Sequence, residues 1–531
     1  MTTHTLKPER FIWHNLLNCF LRELQPKTEI QGHHLLVPFE CTQKTLKVGL
    51  TSRDPLHFSD EVWLQDGKFW VPTHWEQLGE VLEQELSLRT GTPNPEFKAL
   101  LQESARFTLR FLEARTTPPE DGYLRSEQSL MLGHRFHPTP KSRSGNFASW
   151  ERYSPELKTR FALRYFAVRE DFFDSNREDL CRFEHEEIQA PEGYRLLPAH
   201  PWQAKLAVAQ PAIAKASQDG ILLDLGEGEI LYSPTSSIRT LYREGHPWFY
   251  KFSLHARITN CLRKNADYEL TSATLLTEHF EGIEREFLGL FPSARVLKEP
   301  AYCTVKLDTH SREYLGMLLR ENPLLNQKAG EETVLCAVLC DEAHEHPQNL
   351  AHLRNDLLLK WWEKYVQEVV PPVLYLLFQQ GMVLEPHLQN VLIVLKDGMP
   401  SGVVFRDLEG TKLLPGHLSA KLQEAPEQVQ NAVTYSREQG FKRVAYCLLV
   451  NHLLEVGRAI LLKAPFLKKQ LWTALRETLL QHQQRFGPEP ELQALLDGAD
   501  WPAKTNLLNR WQRQRDREAG YVGVPSPLRD L

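Results

Sequence analysis

Glu385-Pro386-His387-Leu388-Gln389-Asn390 opens a stretch that closes on Phe405-Arg406-Asp407-Leu408-Glu409-Gly410. Between them lie two apolar runs, Val391–Leu395 and Gly402–Asp407, with Asp397-Gly398 in the middle. Asp-Gly between apolar runs predicts a β-hairpin. Antiparallel strands joined at one end bring their other ends together. Glu385, His387, Gln389 and Asn390 are therefore expected beside Asp407 and Glu409. Carboxylates and amides gathered this way make the oxygen-rich surroundings that Mg²⁺ prefers, and Glu385 and Asp407 are the magnesium candidates.

The layout is similar to that of small-molecule kinases, in which a His-x-Asp…Asn loop and a later Asp flank such a hairpin. Here Gln389 stands where a kinase has the Asp that accepts a hydroxyl proton. That argues against phosphorylation of a hydroxyl. It does not argue against attack on ATP by a carboxylate, which is ionised at neutral pH and needs no base.

Working outward, Ser236-Ser237-Ile238-Arg239-Thr240 precedes Lys251 and Arg263. Hydroxyls beside guanidinium and ammonium groups suit phosphate oxygens. Leu231–Tyr242 and Phe249–Leu254 read as strands, and His255–Lys264 as the start of a helix. Thr259 and Arg263, four apart, would then share one face. Further upstream, Gly133–Gly145 packs His134, Arg135, His137, Lys141 and Arg143 into a short basic loop suited to an anion. His134 and His137 could begin a zinc site, but no third ligand has local spacing. His200, in Ala199-His200-Pro201-Trp202-Gln203, reads as a brace for a buried turn. His33, His34, His344 and His346 read as surface residues. No GxxxxGK[ST] loop occurs, and Gly226-Glu227-Gly228 lacks the third glycine of GxGxxG.

The 531 residues carry 62 Lys+Arg against 68 Asp+Glu, a net charge of −6, with 42% hydrophobic and 24% charged residues. This is an ordinary globular composition, which excludes collagen-like, disordered and disulfide-scaffold classes. Mild acidity argues against a general nucleic-acid binder. The apolar stretch around Val369–Phe378 contains Pro371 and Pro372 and is too short for a membrane span. Met1–Trp13 lacks the pattern of a secretion signal, so a cytoplasmic protein is expected. Eight scattered cysteines with no CxxC pair fit a reducing compartment. Cys336 and Cys340 read as buried thiols on one helix face.

The chain reads as α+β. Residues 1–120 form an irregular lobe with a hairpin around Asp66-Gly67 and amphipathic helices over Trp75–Leu88 and Pro95–Ala114. A linker runs from Thr116 to Gly122. Residues 121–315 alternate short strands with polar loops. From 316 the pattern turns strongly helical, with Leu353–Val370, Glu438–Lys463 and Phe466–Phe486 as helices whose leucine stripes belong to the core.

In order along the chain, Gly133–Gly145, His200–Gln203, Ser237–Thr240, Lys251–Arg263 and Glu385–Gly410 resemble the GHPxHPxxKxRxG, HPWQ, SxRT, KxSLxxxITxxxR and ExHxQN…RDxEG blocks of the IucA/IucC family of siderophore synthetases. Tyr153-Ser154-Pro155-Glu156 also fits. Arg135 departs from the pattern, standing where that family has Pro. The resemblance implies a cupped hand with a thumb (1–120), fingers (121–315) and a kinase-like palm with a helical C-terminal region (316–531). It implies adenylation by ATP of a carboxylate of citrate, a citrate derivative or 2-oxoglutarate, then capture by an amine or hydroxyl. It places nucleotide and phosphate contacts on His137, Lys141, Ser237, Arg239, Thr240, Lys251, Gln389, Asn390 and Asp407. Carboxylate-substrate contacts fall on Arg263, His387 and Thr259, and the catalytic group set is His387, Arg263, Lys251 and Arg239, with Mg²⁺ as companion ion. It also implies a homodimer. Two other readings stand beside it: a phosphotransferase releasing ADP, and a non-catalytic binder of citrate or ferric siderophore. The helical tail resembles ferric-siderophore reductases, although no cysteine cluster for iron–sulfur ligation lies near it.

Overall fold

The computed structural model describes residues 8–114, 116–183, 188–258, 261–514 and 518–531. Thr259 lies outside them. The architecture is α+β, built on three successive sheets.

The first sheet is an antiparallel meander of Glu29–Gln31, His34–Phe39, Lys44–Arg53, Leu56–Asp66 and Phe69–Pro72. Asp66 pairs with Phe69 across a two-residue turn, and Gly67 supplies the positive φ of 59° that this turn needs. Helices Arg10–Leu24, Trp75–Thr90 and Phe97–Glu113 cover one face. Their apolar stripes bury Leu16, Phe20, Leu78, Leu82 and Leu101 against Val37, Leu46 and Val48. Leu507 and Trp511, from the far end of the chain, close the same core.

The second sheet has eight strands in the order Phe173–Ser175, Ala301–Val305, Met317–Glu321, Trp248–Phe252, Thr240–Tyr242, Leu222–Pro234, Phe161–Arg169, Tyr194–Ala199. The expected strand Leu231–Tyr242 is in fact two, broken by a turn at 235–239. Thr235 closes that turn by donating its N–H to the Thr240 carbonyl at 3.0 Å. The expected helix over His255–Lys264 is absent. Arg257–Ile258 pairs antiparallel with Cys261–Leu262, and Arg263 N–H donates back to the Ala256 carbonyl at 3.0 Å. Long-range bonds win over local propensity here. The Asn265 amide donates to the Lys251 and Gly316 carbonyls and fixes the exit of the hairpin to the sheet.

The third sheet runs Ala294–Val296, Met399–Phe405, Val391–Lys396, Glu331–Leu335. The expected hairpin forms, with Val391 opposite Phe405 and Lys396 opposite Met399, its second strand running Met399–Phe405 and ending before Asp407. The turn to helix comes later than expected. Met317–Glu321 and Glu331–Leu335 are strands, and Cys336–Leu339 is a 3₁₀ turn, so Cys336 and Cys340 are buried thiols without a shared helix face. Helix Leu358–Phe378 continues through Pro371 and Pro372, held by burial of Val369, Val370, Val373 and Leu374. Lys468–Phe486 packs against it. Between them Arg437–Val444, Ala445–Leu453 and Leu454–Lys463 form one run, whose middle section is π-helical. Arg437–Lys463 is the one described helix long and apolar enough to cross a membrane, and most of it is packed inside the molecule.

Candidate active site

Three elements converge on one cluster of charge. Strand Trp248–Phe252 pairs with Met317–Glu321 so that Phe249 lies opposite Arg320. Lys251, two residues on, therefore points to the same face as Arg320. Hairpin strand Met399–Phe405 ends just before Asp407, whose φ of 81° reverses the chain into the turn Leu408–Gly410. Lys251 Nζ consequently lies 2.5 Å from Asp407 Oδ1, 2.8 Å from Glu409 and 3.2 Å from Glu299. Arg320 reaches Glu299 at 2.6 Å and Asp407 at 2.8 Å. Arg239 reaches Glu409 at 2.9 Å and donates to Asn265 Oδ1 at 2.5 Å.

Three cations and three carboxylates thus satisfy one another in a largely buried network, which desolvation would otherwise make costly. Burial alone would raise Asp407, but Lys251 and Arg320 hold it well below the usual carboxylate range. Arg239 and Lys251 lower Glu409 against its burial. Lys251 stays above the usual lysine value because Asp407, Glu299 and Glu409 outweigh its burial. Glu269, at the start of helix Asp267–Leu290, is pushed up to about 7 by burial and by Glu409.

A second network positions the loop before the hairpin. Arg406 donates to the Gln389 carbonyl at 2.7 Å and to Glu127 at 2.5 Å. Glu127 also accepts from Ser236 N–H and Oγ at 3.0 and 2.7 Å. Gln389 donates to Ser236 Oγ at 3.4 Å. Ser237 Oγ accepts from Thr240 N–H at 3.2 Å, so the Ser-Ser-Ile-Arg-Thr loop is braced internally. Ile238 in this loop holds a φ of 70°, a strained position for a β-branched residue. Asn390 accepts through its carbonyl from Arg406 N–H at 3.0 Å.

His387 sits half-buried between these networks. Burial pulls it below the ordinary histidine value against the opposing pull of Glu385 and Asp407, with Arg406 and Arg263 lowering it further. His452, from the π-helical section, supports the loop from behind. Its Nδ1 donates to the Pro386 carbonyl at 2.8 Å and its Nε2 accepts from the Tyr365 hydroxyl at 2.5 Å. These partners fix the neutral tautomer. The Arg263 guanidinium, near His387, makes no ion pair or hydrogen bond among the described residues.

The structure thus gathers Arg239, Lys251, Arg263, His387, Gln389, Asn390 and Asp407, with Ser237 and Thr240 on the adjoining loop. Lys141 corrects the sequence reading. It is buried, with Nζ 2.6 Å from Glu156 and 2.7 Å from the Leu130 carbonyl, and Arg143 binds the same Glu156 at 2.7 Å. This pairing holds the ammonium inside its own loop. His137 is buried in that loop, accepting from Thr139 N–H at 3.1 Å. Glu385 faces Arg443 at 3.2 Å and packs on Gly410. His200 accepts from Trp202 N–H at 3.1 Å and caps helix Pro201–Ala207, as expected of a brace. His346 is buried, not on the surface, because its Nδ1 accepts from Gln348 N–H in a tight turn. Sequence reasoning missed Glu127, Glu299 and Arg320. Each sits in an unremarkable local sequence, and only tertiary contact gives it a role: Glu127 comes from a short helix, Glu299 from a loop and Arg320 from the eight-stranded sheet.

Residues 122–341 match the model of the IucA / IucC family, and 359–519 match that of the ferric iron reductase FhuF-like transporter. The L-2,3-diaminopropanoate–citrate ligase of Staphylococcus aureus is 30% identical over 89% of this chain and 87% of its own length. The chain belongs to the IucA/IucC family. Another relative, the spermidine–citrate ligase of Bacillus anthracis, is 29% identical over 76% of this chain and 73% of its own. ATP-bound aerobactin synthetase IucA from Klebsiella pneumoniae superposes with a TM-score of 0.86 at 24% identity, covering 98% of this chain and 99% of that one. Petrobactin biosynthesis protein AsbB from Bacillus anthracis gives 0.81 at 19%, covering 98% and 95%. These two likenesses show that this IucA/IucC chain has the synthetase fold. Its FhuF-like region holds a single cysteine, Cys447, too few to ligate an iron–sulfur cluster.

Proposed function

We propose that this chain is an ATP-dependent ligase that adenylates a carboxylate of citrate, or of a citrate derivative or 2-oxoglutarate, and passes the acyl group to an amine or hydroxyl. The observation that carries this reading is the unpaired Arg263 guanidinium beside His387, next to the cluster of Arg239, Lys251 and Arg320. Relatives named as citrate ligases support the acid and the reaction class.

In the first step a carboxylate oxygen attacks the α-phosphorus of ATP and pyrophosphate leaves. Two anions must meet, and positive charge fixed in a low-dielectric cleft offsets their repulsion. Arg263 would hold the acid while Arg239 and Lys251 face the phosphates. In the second step the nucleophile attacks the acyl carbon, AMP leaves, and the proton shed by the nucleophile passes to His387. A neutral imidazole is suited to accept it.

Mg²⁺ bound through a nucleotide needs only one or two carboxylates from the protein. Asp407 fits: its Oδ1 is held by Lys251 and Arg320, while Oδ2 has no protein donor among the described residues. Glu385, whose charge acts on His387 and which pairs with Arg443 at 3.2 Å, is the second candidate. Among the described residues no group of three His, Cys, Asp or Glu side chains could hold a metal alone. The ion would supply charge neutralisation of the phosphates.

The division into thumb (1–120), fingers (121–315) and kinase-like palm (316–531) remains part of the proposal, with the cupped-hand shape, the homodimer and the cytoplasmic location. The three main apolar cores follow this division only in outline: residues 276–296 pack into the palm core, Phe11 and Phe107 into the fingers core, and Met317–Glu321 belongs to the fingers sheet.

The test offers ATP, Mg²⁺ and hydroxylamine with citrate or 2-oxoglutarate. Acid-dependent pyrophosphate and hydroxamate, lost in Arg263→Ala, is the expected result. Release of ADP in place of AMP would overturn it.

A further inference from the structure

Gln203 ends the stretch Ala199-His200-Pro201-Trp202-Gln203, one turn after the histidine that caps helix Pro201–Ala207. It is 1% exposed, and its amide bonds two other elements at once. Oε1 accepts from His255 N–H at 2.8 Å. Nε2 donates to the Tyr314 carbonyl, on helix Thr309–Leu315, at 3.0 Å and to His255 Nδ1 at 2.8 Å. The two backbone partners decide which end of the amide is oxygen. The third bond then decides the tautomer of His255: Nδ1 accepts, so the proton sits on Nε2. Burial keeps this ring neutral, pulling it down to about 4. The ring stacks on Tyr314 with centroids 3.7 Å apart. One buried amide thus spends both donors and its carbonyl on fixing His255 and its neighbour.

His255 is the entrance to the hairpin that leads to Arg263. Leu254 N–H donates to the Arg263 carbonyl at 2.9 Å, and Arg263 N–H donates to the Ala256 carbonyl at 3.0 Å. The backbone of Arg263 is therefore bonded to the two chain neighbours of His255. The hairpin itself is slight, Arg257–Ile258 against Cys261–Leu262, and a two-stranded ribbon of that size does not hold its shape alone. Asn265 ties its exit to the sheet. Its entrance is tied by Gln203, and Trp202 reinforces the same side. Trp202 stacks on Trp150 at 5.0 Å, and Trp150 Nε1 donates to the Ser144 carbonyl at 2.9 Å. Ser144 in turn donates its N–H to the Arg257 carbonyl at 2.9 Å and accepts from Arg257 N–H at 2.8 Å through Oγ.

Arg263 depends on such support, because its guanidinium makes no ion pair or hydrogen bond among the described residues that would aim it. We propose that Gln203 is a positioning residue for acid binding: by clamping His255 it sets the course of the hairpin, and with it the place of Arg263. This inference rests on the ligase reading and on the assignment of Arg263 to the acid. Lys251, Asn390 and Asp407 are held by contacts on other elements, so nucleotide binding is spared.

The test is a double-mutant cycle in the full-length protein. Gln203→Leu removes all three bonds at nearly the same side-chain length. Pyrophosphate release is followed with ATP, Mg²⁺ and whichever of citrate and 2-oxoglutarate the wild-type protein turns over. KM for the acid should rise about tenfold, since a displacement of about 1 Å in a positioned group can cost up to about 10²-fold. ATP affinity, read by calorimetry, should stay within about twofold. In an Arg263→Ala background Gln203→Leu should change KM for the acid by less than about twofold, because two residues acting through one contact are not additive. An unchanged KM, an equal loss of ATP affinity, or full additivity would overturn the role of Gln203. If Gln203→Leu does not fold, Gln203→Glu enters the same cycle: it keeps an acceptor for His255 N–H, gives up both donors, and carries the same expectation of non-additivity. No acid-dependent pyrophosphate from the wild-type protein would overturn the ligase reading. A wild-type KM in Arg263→Ala alone would overturn the assignment of Arg263. Either would remove this inference too, whereas acid-dependent turnover with an additive cycle would overturn only the role of Gln203.

Discussion

Lys251 Nζ and Asp407 Oδ1 lie 2.5 Å apart across 156 residues of chain. One sits on a strand of the eight-stranded sheet, the other just past the hairpin of the third sheet. Their contact joins the two sheets at the point where charge must be neutralised. Lys251→Met would leave Asp407, Glu299 and Glu409 facing two guanidiniums in place of three cations. Adenylation should slow by about 10²–10³, the usual cost of losing one preorganised charge partner. Citrate-dependent pyrophosphate release measures it, with circular dichroism reporting the fold.

Arg263 carries the acid-binding prediction. Arg263→Ala should raise KM for citrate by at least about tenfold, the range of a charge-assisted contact. Nucleotide affinity, read by calorimetry, should change far less, because Arg263 has no part in the Lys251 cluster. An equal loss of ATP and citrate affinity would remove its assignment to the acid.

His387 predicts a pH profile. Burial lowers its pKa, so the neutral, proton-accepting form persists to lower pH than for a free imidazole. The acidic limb of the acyl-transfer rate should therefore fall below the ordinary histidine value of 6.5. Single-turnover transfer to the amine, followed from pH 5 upward, checks it. His387→Ala should flatten that limb; an unchanged profile and rate would exclude His387 as the base.

Glu156 predicts stability. Burial opposes its charge, but Arg143 and Lys141 hold the carboxyl down to about 2 from an ordinary 4.5. A lowered folded-state pKa stabilises above the unfolded value, so this contribution is present above 4.5 and is lost as pH falls towards 2. Glu156→Gln strands two buried cations and should cost about 3–5 kcal/mol at neutral pH. Urea denaturation of both proteins at neutral pH and near pH 3 should show the gap narrowing in acid.

The hairpin and its Asp-Gly turn were legible because they depend on neighbours in sequence. The same holds for the amphipathic helices, whose apolar spacing is local. Lys141 was misread because its loop looks like an anion site until Glu156 folds against it. His255–Lys264 was misread because it closes on itself as a short hairpin, Arg263 N–H bonding the Ala256 carbonyl, and Asn265 ties the exit of that hairpin to the sheet.

By itself the sequence determined the ordered motifs from Gly133 to Gly410, the α+β character and the family. Those are properties of residue type and spacing. Tertiary structure alone decided that Glu299 and Arg320 complete the Lys251 cluster. It also decided that Glu127 anchors Arg406 from 279 residues away. Charge acts through distance in space, and a buried cation has a role only once its counter-ions, or their absence, are in place.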